Sequence, residues 1–214
     1  LSCSKKGDMG SIGSIDIQEL TVSEYHDALR DRRTTCTEVV VAYLDRISRY
    51  NSLLKALITV NKNALDVARQ RDQETEALLQ QHGKDHTLPP LHGVPVILKD
   101  TYSTLDMPTT SGVKALHSLQ TKADAFVVTK LRRAGAIILG KANLHELSLE
   151  GVTVSSLGGQ TRNRYDLRRD TRRFVRWDGC CSSGESSTRR MWWGYDEFAT
   201  LACVGVLDHR IQTN

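Results

Sequence analysis

Two short apolar runs constrain this chain more than any other feature: Val94-Pro-Val-Ile-Leu98 and Ala136-Ile-Ile-Leu139. Both are rich in β-branched residues and bounded by breakers, Pro89-Pro90 before the first and Gly140 with Lys141 closing the second, the pattern of strands buried on both faces. The spacing between them predicts a helix over 124–134 that buries Val127, Val128, Leu131 and Ala134 and stops at Gly135. Strand, crossover helix and strand require a parallel pair, so the expected class is α/β with a mostly parallel sheet covered by helices. The first run, extended back to Leu91, ends directly in Lys99 and Asp100. A lysine there either snorkels to water or is held at the sheet. If held, desolvation disfavours its ammonium, and a neutral amine can act as a general base. Asp100 reads as fixing the loop that follows.

The remaining elements follow from caps and periodicity. Residues 1–15, rich in Ser and Gly, read as a disordered lead-in. Thr21-Val-Ser-Glu24 has capping-box form and predicts a helix to about Asp31. Thr35 or Thr37 starts a second helix to about Tyr50, with Val40, Tyr43, Leu44 and Ile47 on one face. Ala56–Val60 reads as a strand. Asn61 is the expected cap of a third helix to about Gln81, with Gly83 just past its end. The charged stretch Arg69–Glu76 of that helix reads as a solvated face. Asn143 is the expected cap of a short helix to Leu149, and 158–163 a polar turn.

Composition changes along the chain. All ten lysines lie at or before Lys141, whereas beyond Gly151 the ten Lys or Arg residues are all arginine. Trp177, Trp192 and Trp193 are the three tryptophans, and no proline follows Pro108. Cysteines at 3, 36, 180, 181 and 203 have neither zinc spacing nor a disulfide framework. His92, His117 and His145 lack ligand spacing. No apolar run reaches the roughly 20 residues of a membrane span, and no signal peptide is visible. The expected location is cytoplasmic.

The ordered motifs Leu91-His-Gly-Val-Pro-Val-Ile-Leu-Lys-Asp100, Met107-Pro-Thr-Thr-Ser-Gly112, Asp124-Ala-Phe-Val-Val128, Leu131–Glu146 and Gly158-Gly-Gln-Thr-Arg-Asn163 resemble the amidase signature enzymes. That group includes fatty-acid amide hydrolases, bacterial amidases and the A subunit of glutamyl-tRNA amidotransferase. The likeness covers about 16–167. It implies hydrolysis of carboxylic amide C–N bonds through a Ser–Ser–Lys triad, a small-molecule amide substrate, and neither metal nor organic cofactor. Lys99 matches the triad lysine. It would take a proton from a bridging serine, which in turn deprotonates the serine that attacks the carbonyl.

The sequence departs from that pattern beyond Tyr165-Asp-Leu167. Where the family has Gly-Gly-Ser-Ser-Gly-Gly, this chain reads Arg172-Arg-Phe-Val-Arg-Trp177. Ser182 and Ser183 stand several residues late, and the Gly-rich nucleophile segment has no counterpart. Permitted codons for Asp170–Gly184, read one base later, spell Thr-Pro-Gly-Gly-Ser-Ser-Gly-Gly-Thr-Gly-Ala-Val-Ala-Ala. The expectation is a partial amidase domain over 16–167, truncated within a larger fold, followed by a frame-shifted or mis-spliced tail over 168–214. Two other classes remain open: a non-catalytic amidase-like fragment, and an arginine-rich nucleic-acid binder drawing on the nine arginines of 162–190. Nucleic acid is not the expected partner, and the sequence leaves the oligomeric state undetermined.

Overall fold

The computed structural model describes residues 11–12, 15–16, 20–84, 86–163 and 167–168. Its elements are β1 (Ser11–Ile12), β2 (Ile15–Asp16), α1 (Val22–Arg30), α2 (Cys36–Leu54), β3 (Leu57–Val60), α3 (Ala64–His82), β4 (Pro95–Lys99), α4 (Phe126–Arg133), β5 (Ile137–Ala142), β6 (Val154–Ser155) and β7 (Gly159–Gln160). Three-residue 3-10 turns occupy Lys114–Leu116 and Glu146–Ser148. The β1–β2 pair is antiparallel and lies in the stretch expected as a lead-in.

The helices start where the sequence places their caps. Thr21 and Thr35 each close a full capping box, with Glu24 and Glu38 respectively. Thr37 instead gives its hydroxyl to Asp72 of α3 (2.6 Å). Asp72 also accepts the Cys36 (2.6 Å) and Thr37 (3.0 Å) amides, so a carboxylate from another helix completes the α2 N-terminus. The charged face of α3 therefore carries a structural role. Val39, Val40, Tyr43 and Ile47 bury one stripe of α2, each side chain contributing about 1.5–3 kcal/mol.

The central sheet has the order β3-β5-β4. β4 and β5 are parallel, as the crossover through α4 requires, and β3 joins the other side of β5 antiparallel. β4 begins at Pro95 rather than Leu91. His92 and Val94 amides bond back to Pro89 and Leu91 carbonyls in a turn. Gly93, at φ +72°, leaves room there for Cys36 Sγ and the Tyr25 hydroxyl. β5 runs past Gly140, the expected closure, through Lys141 to Ala142, and its six residues are all buried. Gly140 stays in the strand because β3 passes so close: a Cβ would lie 2.4 Å from the Thr59 carbonyl oxygen. The β4–β5 register steps from Val96↔Ile138 to Ile97↔Gly140, leaving Leu139 as an extra residue in β5.

Two expected caps do other work. Asn63, not Asn61, occupies the cap position of α3. The Asn61 amide nitrogen donates to the Ile138 carbonyl (2.9 Å) and to Asp106 (3.0 Å), tying the β3 end to β5. Asn143 donates to the Lys55 (3.1 Å) and Gly159 (3.0 Å) carbonyls and to Thr161 (3.0 Å), pinning the β6–β7 hairpin against the α2–β3 turn. Only a 3-10 turn follows it.

His92 makes folding pH-sensitive. It is wholly buried. Nε2 lies 2.7 Å from Thr75 Oγ1 and 3.2 Å from the Arg71 carbonyl, while buried Nδ1 has no hydrogen-bond partner among the described residues. A second proton on Nδ1 would be a donor without an acceptor. Burial accordingly lowers the His92 pKa below 6.5, with the Arg71 charge acting the same way and Glu74 and Asp72 opposing it. His26, bonded to the His92 carbonyl, is also lowered by burial. As pH falls below about 6.5, the unfolded chain takes up protons that the folded chain refuses, so stability declines. The urea midpoint should drop between about pH 7 and pH 5, and drop less in His92→Gln. Equal losses in both proteins would remove His92 from this role.

Candidate active site

Lys99 is the last residue of β4, where burial alternates along the strand. Val96 and Leu98 are buried, whereas Pro95, Ile97 and Lys99 are half-buried on the opposite face. Among the described residues Lys99 forms no ion pair. Desolvation lowers its pKa from the ordinary 10.5. It is neither free in water nor neutralised by a carboxylate, an environment that favours the uncharged amine.

Asp100 turns the other way and is wholly buried. Its Oδ2 accepts the Thr110 amide (3.2 Å), the Thr110 hydroxyl and the Gly112 amide (3.4 Å). The Ser111 amide donates to the Asp100 carbonyl (3.0 Å). Asp100 thus fixes the Thr109–Gly112 loop against the end of β4, the role read for it from sequence. The residue that sequence reasoning missed is Lys141. It too is wholly buried, and its Nζ donates to the Tyr102 carbonyl (2.6 Å) and to Thr109 Oγ1 (3.0 Å), 3.7 Å from Asp100 Oδ1. Burial lowers its pKa, and Asp100, Asp106 and Asp124 act to raise it. Arg132 of α4 holds Asp106 (2.7 Å) and Asp124 (3.0 Å). Taking Gly140-Lys141 as a strand terminus concealed this cluster.

The places of the bridging and nucleophilic serines, including Arg172–Trp177, Ser182 and Ser183, lie outside the described residues. The same holds for the tail from Arg169 onward. His92 is a core residue, whereas His117 bonds only its own turn, through the Lys114 carbonyl. Among the described residues no three His, Cys, Asp or Glu side chains converge as metal ligands, and no helix is long and apolar enough to cross a membrane.

The Amidase family model matches residues 38–188, more than half of the chain. The chain belongs to the amidase family. Among amidase-family relatives, the A subunit of glutamyl-tRNA(Gln) amidotransferase from Thermobifida fusca (strain YX) is 38% identical over 155 residues, covering 72% of this chain and 30% of the relative. A "Probable amidase" of Arabidopsis thaliana is 43% identical over 134 residues, 62% of this chain and 25% of its own length. In structure, the native peptide amidase from Stenotrophomonas maltophilia superposes with a TM-score of 0.60 at 35% identity, over 70% of this chain and 31% of that one. This amidase-family chain therefore has the family's mixed helix-and-sheet fold over the matched part and spans 25–31% of the length of these relatives. The family match continues past Arg168 and ends before residues 189–214.

Proposed function

We propose that this chain carries the base-bearing portion of an amide hydrolase, with Lys99 as the general base. The observation that carries the reading is Lys99 itself: half-buried at a strand end, without a counter-ion among the described residues and with its ammonium disfavoured by burial. In the mechanism that the family implies, neutral Lys99 accepts a proton from a bridging serine. That serine takes the proton of a second serine, whose oxygen attacks the amide carbon. Collapse expels the amine, protonated by the returning proton, and water then releases the carboxylic acid. The substrate is a small-molecule amide, and the compartment is the cytoplasm.

The two serines belong to the complete enzyme. Over 168–214 we read a displaced frame, supported by the loss of lysine and proline, the clustered tryptophans, and the codon reading of 170–184. A non-catalytic fragment is the second reading, favoured by Arg172–Trp177 standing where the relay serine belongs. Sequencing the transcript and assaying two proteins separates them. The 214-residue chain should release amine from an aryl or fatty amide no faster than solution amine does, whereas protein from a frame-restored gene should turn over and bind a fluorophosphonate serine probe. Labelling of Ser182 or Ser183 in the chain as written would overturn the displaced-frame reading. A restored protein that folds but stays inert would overturn the hydrolase reading.

A further inference from the structure

Residues 101–133 lead from the end of β4 through α4 and carry an apolar patch open to solvent. Phe126 is 72% exposed, Leu105 56% and Leu119 47%, and Leu116 is exposed as well. Single exposed leucines are ordinary, but these stand together. The Leu105 amide donates to Asp124 Oδ1 (2.8 Å) and the Ala125 amide to the Ser103 carbonyl (2.9 Å), which sets 103–105 against the start of α4. The Gln120 side chain donates to the Thr104 carbonyl (3.2 Å), and the Leu119 carbonyl accepts the Thr109 amide (2.9 Å), which brings 116–120 alongside. The free charges around the patch have one sign. Residues 101–133 hold five basic and two acidic side chains. Arg132 takes both carboxylates, Asp106 and Asp124. Lys114, Lys122, Lys130 and Arg133 have no ion-pair partner among the described residues. On α4, Phe126, Lys130 and Arg133 follow the i, i+4, i+7 spacing of one face, away from buried Val128 and Leu131. The Lys130 ammonium lies 4.6 Å from the Phe126 ring centre.

We propose that this face docks on an anionic lipid surface: Leu105, Leu116, Leu119 and Phe126 enter the headgroup boundary, and the four unpaired cations meet the lipid phosphates and carboxylates. Two observations favour a fluid surface over a partner peptide. Residues 114–120 are exposed without a break, so the leucines stand on a projecting loop rather than in a groove of the kind that seats a helix or strand. That loop also bonds its own backbone. The Leu116, His117 and Leu119 amides donate to the Val113, Lys114 and Leu116 carbonyls, so the loop can meet the acyl boundary without leaving those amides unpaired. The association is peripheral, since among the described residues no helix is long and apolar enough to cross a membrane. A few apolar side chains anchor weakly by themselves, and neighbouring cations supply the second attraction that stable docking takes. The proposal is independent of the reading of Lys99 as the base.

The test is co-sedimentation of the whole 214-residue chain with phosphatidylcholine vesicles, with and without phosphatidylserine. The chain should bind the mixed vesicles, and bind pure phosphatidylcholine about tenfold more weakly or less. Lys122→Gln combined with Lys130→Gln should weaken binding to mixed vesicles by about 25-fold, at roughly fivefold per cation. Leu119→Ser combined with Phe126→Ser should weaken it by about tenfold or more, at low and high salt alike. Both pairs are surface changes that leave Val128 and Leu131 of α4 in the core. The nine arginines of 162–190 are a rival source of vesicle binding. Binding that survives both pairs unchanged belongs to that stretch and overturns the proposal, as does a failure to bind mixed vesicles. Loss in the charge pair alone, with the apolar pair at parental affinity, marks a face for an acidic protein and overturns the lipid assignment.

Discussion

Replacing Lys99 by Ala in protein from a frame-restored gene should lower amide turnover by about 10²–10⁴-fold, the span of a positioned general base, with little change in the urea midpoint. Lys99 lies on the less buried face of β4, so truncation removes only part of a side chain from contact, while Val96 and Leu98 keep the strand in the core. The chemistry has no substitute at hand, because buried Lys141 points to the other side of the sheet and gives its protons to Tyr102 and Thr109. Lys99→Arg should be as poor as Ala, since guanidinium does not lose its proton in the working range. The acid limb of kcat/KM in the restored enzyme should fall below 10.5, the ordinary lysine value. Turnover within tenfold of the parent in both variants would make Lys99 structural only.

Gly140→Val should cost about 3 kcal/mol of stability or more, the upper range for overpacking. The obstacle is the Thr59 carbonyl oxygen, 2.4 Å from where a Cβ would lie, with the Val60 Cα at 3.3 Å. Both are backbone atoms and cannot rotate aside. β3 must leave β5, and the Asn61 amide bond to the Leu139 carbonyl (2.8 Å) goes with it. Gly83→Ala is the control. Its φ of +73° and ψ of −174° favour glycine, yet a Cβ there meets nothing within 4 Å, so it should cost about 1–3 kcal/mol, the conformational penalty alone and less than Gly140→Val. Urea midpoints of the two variants measure the difference. Equal losses would show that β3 is not held as described.

The parts of this fold that were legible in the sequence are those decided within a few residues. Thr21 with Glu24, the apolar stripe of α2, and the strand–helix–strand order around α4 depend on local spacing, and each is present. Lys99 was legible for the same reason, since its strand ends on it. What stayed hidden depends on partners far along the chain. Asp72 looked like solvated charge because its partners, the amides of Cys36 and Thr37, lie 36 and 35 residues away. Asn61 and Asn143 looked like helix caps, the commonest local use of asparagine, but they bond carbonyls 77 and 88 residues away. Lys141 was concealed by its glycine: Gly140 resembles a strand terminator, and only the close passage of β3 explains a glycine inside the strand.

The extra residue in β5 is a parity switch. Before it Ile138 stands beside Val96; after it Lys141 stands beside Leu98. Were the same residues paired without that step, Leu139 would stand beside Ile97, Gly140 beside Leu98 and Lys141 beside Lys99. Two ammonium groups would then share one face at roughly the 4.8 Å strand spacing, and Asp100 would be left with the Thr110 amide and hydroxyl and the Gly112 amide. The irregular step in the middle of β5 therefore decides whether Lys141 faces inward or becomes a second outward lysine, with no change in amino-acid type at either position. Paired without the step, the same residues could not keep both lysines in their present surroundings.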